Sequence, residues 1–370
     1  MHAAPVHPAE RWPLPDLLRG VAILGILCVN MQDFSGYDEW LQSGPNRVAQ
    51  VFIDLFLNGK FISLFAMLFG AGMLTILSRA GGWRLLRRLL LLLLIGSTHF
   101  VLVWHGDIIS LYACLGLLLL PPMLLRPPAW VYAAAGSALC AWWMVLRVSD
   151  ALTAGVGERY SVTRDFPSGT AWSDLAGLRL HEFPGDLYGG GLYNLQWLLG
   201  LLLLGMAAQH SGLLARPERF RPLLWGLAVG GLVLGLPISA ALAWLNTRNT
   251  FAAGEWEVPA RMGSGLLLAL GYAGTLGLLV SAGRARWLRV FAAPGRLALS
   301  NYLAQSLVMT ALFYPYGLNL YRHHLGAWPC LLLALALGAL QLRLSALWLR
   351  RFRQGPAEGL LRALVYGRRT

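Results

Sequence analysis

Lysine is nearly missing from this chain: Lys60 stands alone among 30 basic residues. Charge of either sign is scarce. Asp, Glu, Lys and Arg make up 13% of the 370 residues, against roughly 25% in soluble domains. That scarcity excludes an ordinary soluble enzyme, whose surface must be wetted by charged side chains. Cysteine is sparse as well. Cys28, Cys114, Cys140 and Cys330 each sit inside an apolar run, so they read as small packing residues and not as a disulfide framework or thiolate metal site. No zinc-ligand spacing, serine elbow or P-loop is present, and no metal is expected. A lipidation signal before Cys28 fails because Leu27 precedes it. A cleaved leader fails for want of a basic start and a small-residue cleavage site. The first apolar segment is therefore expected to remain as a helix.

What fills the chain instead is apolar sequence, 57% of all residues. Runs long enough to cross a bilayer, taken as about 20 residues each, fall near 15–35, 60–78, 86–104, 107–125, 129–148, 191–210, 222–245, 262–282, 297–316 and 327–348. The expectation is an all-α polytopic membrane protein, a single domain over 1–370, with about ten spans around a polar cavity. Residues 47–58 alternate with helical spacing and read as an interfacial helix leading into the second span. The net charge of +13 does not point to nucleic acid. Its arginines cluster in the short gaps: Arg79, Arg84, Arg87 and Arg88; Arg126; Arg216, Arg219 and Arg221; Arg284, Arg286 and Arg289; and a basic tail over 350–370. With the expected spans all fall on one side with the N-terminus, and the positive-inside rule makes that side the cytoplasm. The opposite side receives a large mixed-charge loop at about 149–190. The lipid bilayer is the first partner, with the basic tail against anionic headgroups. The fifteen tryptophans, many near span ends, read as an interfacial belt. Gly70–Gly72 and Gly263/Gly265 permit close helix contact.

Polar residues inside such a chain are expensive and informative. Arg19 lies within PDLLRGVAILGILCVNMQDF, with Asn30 and Asp33 beyond it. His99, His105 and Asp107 sit in a tight antiparallel hairpin between the third and fourth spans. Lys60 opens the second span on the same outer side. These groups can converge in a cavity open to the outside. Asn301, Tyr302, Gln305 and Ser306 share one face of the ninth span, as interhelical glue or as cavity lining. Each has a plain structural alternative. His99 can hydrogen-bond across helices, and His105 can anchor the interface. Asp107 can cap the fourth helix, and Arg19 can pair with Asp16 one turn back. His323 and His324 read as solvated loop residues.

The blocks RGVAILGILCVNMQDF, KFISLFAMLFGAGM, LLLLIGSTHFVLVWHGDIISLYACLG, GRLALSNYLAQSL and LWLRRFRQGPAEGLLRALVYG resemble, in order, those of the YeiB-like bacterial membrane proteins. That family is distantly similar to transmembrane acyltransferases of the heparan glucosaminide acetyltransferase type. The resemblance implies a multi-pass protein of the bacterial cytoplasmic (inner) membrane. At second order it implies acyl transfer from a cytoplasmic acyl-CoA donor to an external small-molecule or glycan acceptor. On that reading Arg19, whose planar fork suits phosphate, faces the donor. His99, oriented by Asp107, is the candidate general base. Asn30, Asp33, Lys60, His105 and the 301–306 stripe line the donor and acceptor sites. One departure matters. Sugar acyltransferases place a histidine where this chain has Asn30, and an amide has no useful basicity. The alternative is a transporter or flippase-like carrier whose pathway uses the same polar interior. Oligomeric state is not readable from the sequence.

Overall fold

The computed structural model describes residues 13–158, 170–185, 194–284, 287–323 and 325–367. Arg159, Arg164, Asp165, Asp186, Arg286, His324, Arg368 and Arg369 lie outside them, as do parts of the expected 149–190 loop and the start of the 191–210 run. Among the described residues the structure is helical without strands, as a chain that must satisfy its backbone in lipid requires.

The helices are α1 (Pro13–Ser35), α2 (Gly44–Phe56), α3 (Lys60–Ala80), α4 (Gly82–Leu102), α5 (Ile109–Leu124), α6 (Ala129–Leu152) and α7 (Trp172–Gly185). They continue with α8 (Leu195–His210), α9 (Arg221–Leu245), α10 (Phe251–Ser281), α11 (Ala292–Arg296), α12 (Ala298–Phe313), α13 (Ala327–Arg351) and α14 (Pro356–Tyr366). Seven described helical stretches are long and apolar enough to cross a membrane: Leu14–Ser35, Gly44–Ala80, Gly82–Leu102, Ala129–Leu152, Pro217–Leu245, Phe251–Ser281 and Ala327–Arg351. The protein is thus an all-α, multi-pass membrane protein. Helices α5, α8 and α12 fall in three further expected spans but have only 16 residues each, about 24 Å of helix.

α1 is the axis of the bundle. It opens with Pro13, suited to a first turn, and with Asp16 at the positive end of the helix dipole. Leu14, Leu18, Ala22 and Ile26 form one stripe at four-residue spacing and pack into a core with α3, α4, α5, α6 and α8. Ile23, Leu27, Met31 and Phe34 form another stripe and pack into a second core with α2, α12, α13 and α14. Two buried stripes on one helix mean that α1 packs against protein on two sides. Its closest neighbour is α11. A Cβ at Gly20 would stand 1.7 Å from the Phe291 carbonyl oxygen, and one at Gly295 would stand 1.8 Å from that of Asp16. Only glycine permits backbones this near.

α2 reverses the usual amphipathic order. Its buried face carries Ala49, Gln50, Ile53 and Asp54, while Val48, Phe52 and Phe56 are exposed. An apolar stripe turned outward and a polar stripe turned inward is what lipid selects. A helix therefore occupies most of the 47–58 stretch, with Gln50 and Asp54 turned to the protein interior.

At the arginine-rich end, α14 docks beside α4. Glu358 accepts hydrogen bonds from the backbone N–H groups of Leu299 (2.8 Å) and Ser300 (3.1 Å) and from the Ser300 hydroxyl. The carboxylate thus satisfies first-turn donors of α12 that have no intrahelical partner. Leu361 and Val365 fill the adjoining core, and the Arg84 guanidinium lies 5.3 Å above the Tyr366 ring. Within the basic tail, Pro356–Tyr366 form a docked helix.

Candidate functional site

The α4–α5 hairpin supplies the principal groups. Helix α4 ends at Leu102 and α5 begins at Ile109, so the link is short and folds back at once. Close return is possible because Gly96 faces it: a Cβ there would meet the Ser110 nitrogen at 2.3 Å and Asp107 Oδ2 at 2.8 Å. Asp107 Oδ1 stands 3.0 Å from His99 Nδ1. Its other oxygen, Oδ2, accepts from the Ser110 backbone N–H at 2.8 Å and the Ser110 hydroxyl at 2.7 Å. Both side chains are buried, 3% exposed for His99 and 0% for Asp107. The carboxylate therefore caps α5 and orients the imidazole at the same time. The two readings of Asp107 are compatible.

With Asp107 ionised, Nδ1 is the protonated nitrogen and Nε2 keeps its lone pair. Nε2 is buried and has no hydrogen-bond partner among the described residues. Tyr302 of α12 packs against the imidazole, ring centres 5.4 Å apart. Its hydroxyl accepts from the Ile108 N–H and donates to the Gly106 carbonyl, each at 3.3 Å, pinning the hairpin to the second core. Trp104 stacks on Phe34 at 4.2 Å and stands edge-on to His99 at 6.5 Å. Its indole N–H is also buried and without a partner among the described residues. Next to this pair, His105 lies 3.2 Å from Asp33 Oδ1 through Nε2 and 3.3 Å from the Tyr314 hydroxyl through Nδ1. Asp33 is 47% exposed, so this second histidine–carboxylate pair meets solvent while the first does not.

The structure thus brings His99, Asp107, His105, Asp33 and Tyr302 to one end of the bundle. Asn30 is half-buried on α1. Lys60 makes its contacts in a different place. It is fully buried and donates to the Asp54 backbone carbonyl. The Asp54 carboxylate accepts from Gln50 (3.0 Å), Asn58 (3.2 Å) and Asn246 (3.0 Å). A buried carboxylate and a buried ammonium in lipid are tolerable only inside such a donor set. This knot ties α2, the start of α3 and the end of α9 together. It borders a small cleft lined by Glu39, Trp40, Arg47, Asn246 and Thr247.

The 301–306 stripe divides. Asn301 donates to Ser345 (3.0 Å), and Gln305 donates to Gln341 (2.8 Å) and to the Ile23 carbonyl (3.4 Å). Ser306 bonds back to the Tyr302 carbonyl at 3.3 Å. Asn301 and Gln305 act as glue between α12, α13 and α1, Ser306 bonds within its own helix, and Tyr302 joins the histidine site. Arg19 pairs with Asp16 at 3.1 Å, its guanidinium still 29% exposed. Arg88 lies close enough to feel the charge of both Arg19 and Glu358. The arginines and His99 occupy opposite ends of α4: from Arg88 to His99 is about 16 Å along the helix. Among the described residues no cluster of histidine, cysteine and carboxylates has the arrangement of a metal site.

Sequence reading missed Ser110, Trp104, Tyr314, Asp54 and Asn246. Gln341 and Ser345, four apart on α13, carry the signal that would have found the partner of the α12 stripe.

Comparison with known proteins bears on the whole chain. Residues 208–368 match a family model described as a protein of unknown function, DUF418. An uncharacterized protein of Bacillus subtilis (strain 168), YxaH, is 33% identical over 394 residues, covering 96% of this chain and 94% of its own. An uncharacterized protein of Escherichia coli (strain K12), YeiB, is 32% identical over 387 residues, covering 96% of each. A third relative, an uncharacterized 39.9 kDa protein of Bacillus acidopullulyticus, is 27% identical over 388 residues. The site geometry and the membrane fold therefore belong to a protein with full-length relatives, and the chain is a member of the YeiB-like, DUF418 family of membrane proteins.

Proposed function

We propose that this protein is a membrane-bound acyltransferase. It takes an acyl group from an acyl-CoA-type thioester at the arginine-rich end and passes it to a hydroxyl or amine of an envelope acceptor at the His99 end. The observation that carries this reading is the state of His99. One ring nitrogen lies against a buried carboxylate, and the other is buried with no hydrogen-bond partner among the described residues. That is the arrangement of a general base, and it resembles no structural need of the hairpin, which Ser110 and Tyr302 already hold.

The residues divide the work as follows. The acceptor O–H gives its proton to His99 Nε2 as its oxygen bonds to the thioester carbonyl carbon. Asp107 stabilises the imidazolium that forms. It keeps the proton on Nδ1 because Ser110 saturates its other oxygen. The C–S bond then breaks, and the leaving thiolate recovers the proton from Nε2. The Trp104 indole N–H, edge-on to the imidazole, is a spare donor for an acceptor oxygen. At the other end, Arg19 with Arg88 beside it offers charge to donor phosphates. The two ends are about 16 Å apart, which calls for a donor with a long, thin acyl-bearing arm.

Orientation follows from the same proposal: about ten spans, the bacterial inner membrane, both termini and the arginines cytoplasmic, and residues 149–190 external. A reporter active only outside the cytoplasm should work when fused after position 156 and stay silent at the C-terminus. The reverse pattern rejects the orientation. Arg19→Ala is expected to stay folded and to weaken coenzyme A binding by about tenfold, as for one charge-assisted hydrogen bond to phosphate. Arg19→Lys should recover part of it. Calorimetry giving one affinity for all three proteins removes Arg19 from the donor site.

A further inference from the structure

We propose that Arg179 anchors an anion-binding subsite beside the histidine site, and that the anion it receives, a carboxylate or a phosphate, is carried by the acceptor. Arg179 lies on α7, inside the segment that sequence reading treated as an external loop of mixed charge. Leu175, Ala176 and Arg179 form the buried face of that helix, which covers the end of α4. Phe183 packs on Phe100 at 5.0 Å, and the Trp172 indole N–H donates to the Leu102 carbonyl at 2.8 Å. Arg179 is 2% exposed.

A guanidinium carries five donors and a charge it cannot lose. Here Nη1 makes a long bond of 3.4 Å to the Val101 carbonyl. Nη2 is buried and has no hydrogen-bond partner among the described residues. Among the described residues no carboxylate pairs with it: Asp33 is engaged by His105, and Asp107 by His99. The guanidinium lies 5.3 Å from the centre of the Tyr314 ring, which supports the fork.

The plainer account is that Arg179 only caps α4, whose C-terminal end attracts cations. That end is already served. The His99 carbonyl accepts from the N–H groups of Val103 and Trp104, each at 2.9 Å, and Trp172 takes the Leu102 carbonyl. One long bond employs one of five donors, and an uncompensated buried cation is among the least tolerated arrangements in a protein. The planar fork is made for two oxygens of one anion. From Arg179 the contacts run through Tyr314 to His105, and from His105 to Trp104 (6.1 Å) and His99. Arg179 and His99 are thus linked through a continuous run of side chains at one end of the bundle. Assigning the anion to the acceptor rests on the acyl-transfer reading. Anion binding at Arg179 does not.

The test uses the full chain in a neutral detergent at constant ionic strength. Unfolding temperature is followed against inorganic phosphate, against a uronate sugar, and against phosphatidylglycerol in mixed micelles, with phosphatidylcholine as reference. Wild type should show a saturable rise with at least one probe. Arg179→Gln should need at least tenfold more of it, and Arg179→Lys an intermediate amount. A response to phosphate or uronate identifies a soluble acceptor; a response confined to phosphatidylglycerol identifies a lipid headgroup. Either supports the subsite, and neither depends on transfer activity. Equal responses in wild type and Arg179→Gln, or no response of wild type to all three, overturn it. Should the Gln variant not fold, unchanged affinity in Arg179→Lys overturns the fork.

Discussion

His99→Gln is expected to keep the protein folded in the membrane and to lower acyl transfer by at least about 100-fold, the lower bound for a general base. Glutamine retains a donor that can reach Asp107, so the carboxylate stays satisfied and the hairpin stays closed by Ser110 and Tyr302. What disappears is the lone pair of Nε2. Asp107→Asn separates orientation from basicity. It leaves the imidazole but forfeits the charge that holds the tautomer and steadies the imidazolium, so it should also lose activity, with unfolding temperature changed little. The check is labelled transfer by purified variants beside their unfolding curves. Undiminished transfer by His99→Gln moves the base elsewhere. The His105–Asp33 pair is the next candidate, because it is the other histidine held on a carboxylate at this end.

The second large effect is on stability. Gly20→Ala should cost about 3 kcal/mol or more, at the upper end of overpacking. The added Cβ would stand 1.7 Å from a backbone oxygen, that of Phe291. A carbonyl in a short helical turn cannot rotate away as a flexible side chain can, so α11 must separate from α1. Everything that α1 carries at this level, including the Arg19–Asp16 pair, shifts with it. Gly226→Ala is the control. Its Cβ meets nothing within 4 Å, and alanine has the better helix propensity, so no loss is expected. The check is the unfolding temperature of both variants in one detergent. An unchanged temperature for Gly20→Ala contradicts the packing described for the α1–α11 contact.

How far these features were legible depends on how far apart in sequence the partners lie. His99 and Asp107 are eight residues apart in a hairpin with no room for a loop, so their meeting follows from the apolar runs alone. Arg19 and Asp16 are one turn apart, and the plain pair forms as expected. The interior of α2 was harder. Gln50 and Asp54 look like the wet side of an interfacial helix. They become the buried side only because Asn246, 192 positions away, supplies a donor. For the same reason Lys60 reads from sequence as a substrate-site residue: the Asp54 backbone carbonyl that holds it is invisible to periodicity. Gln305 displays its helical face in the sequence but not its partner Gln341 on α13. Arg179 is the extreme case. A single arginine among loop charges carries no sign of burial, and only the packing of α7 on α4 reveals it. Local geometry was readable; which polar faces meet across the bundle was not.

One measurement bears most directly on acyl transfer through this bundle. Membrane vesicles of defined orientation, enriched in the protein, receive an acyl-CoA labelled in its acyl group on the cytoplasmic side only. The label is then sought on the opposite face. Transfer predicts label there in covalent ester or amide linkage to an envelope molecule, present with wild type and absent with His99→Gln. Label that crosses still attached to coenzyme A, or that stays wholly on the donor side with wild type, contradicts it.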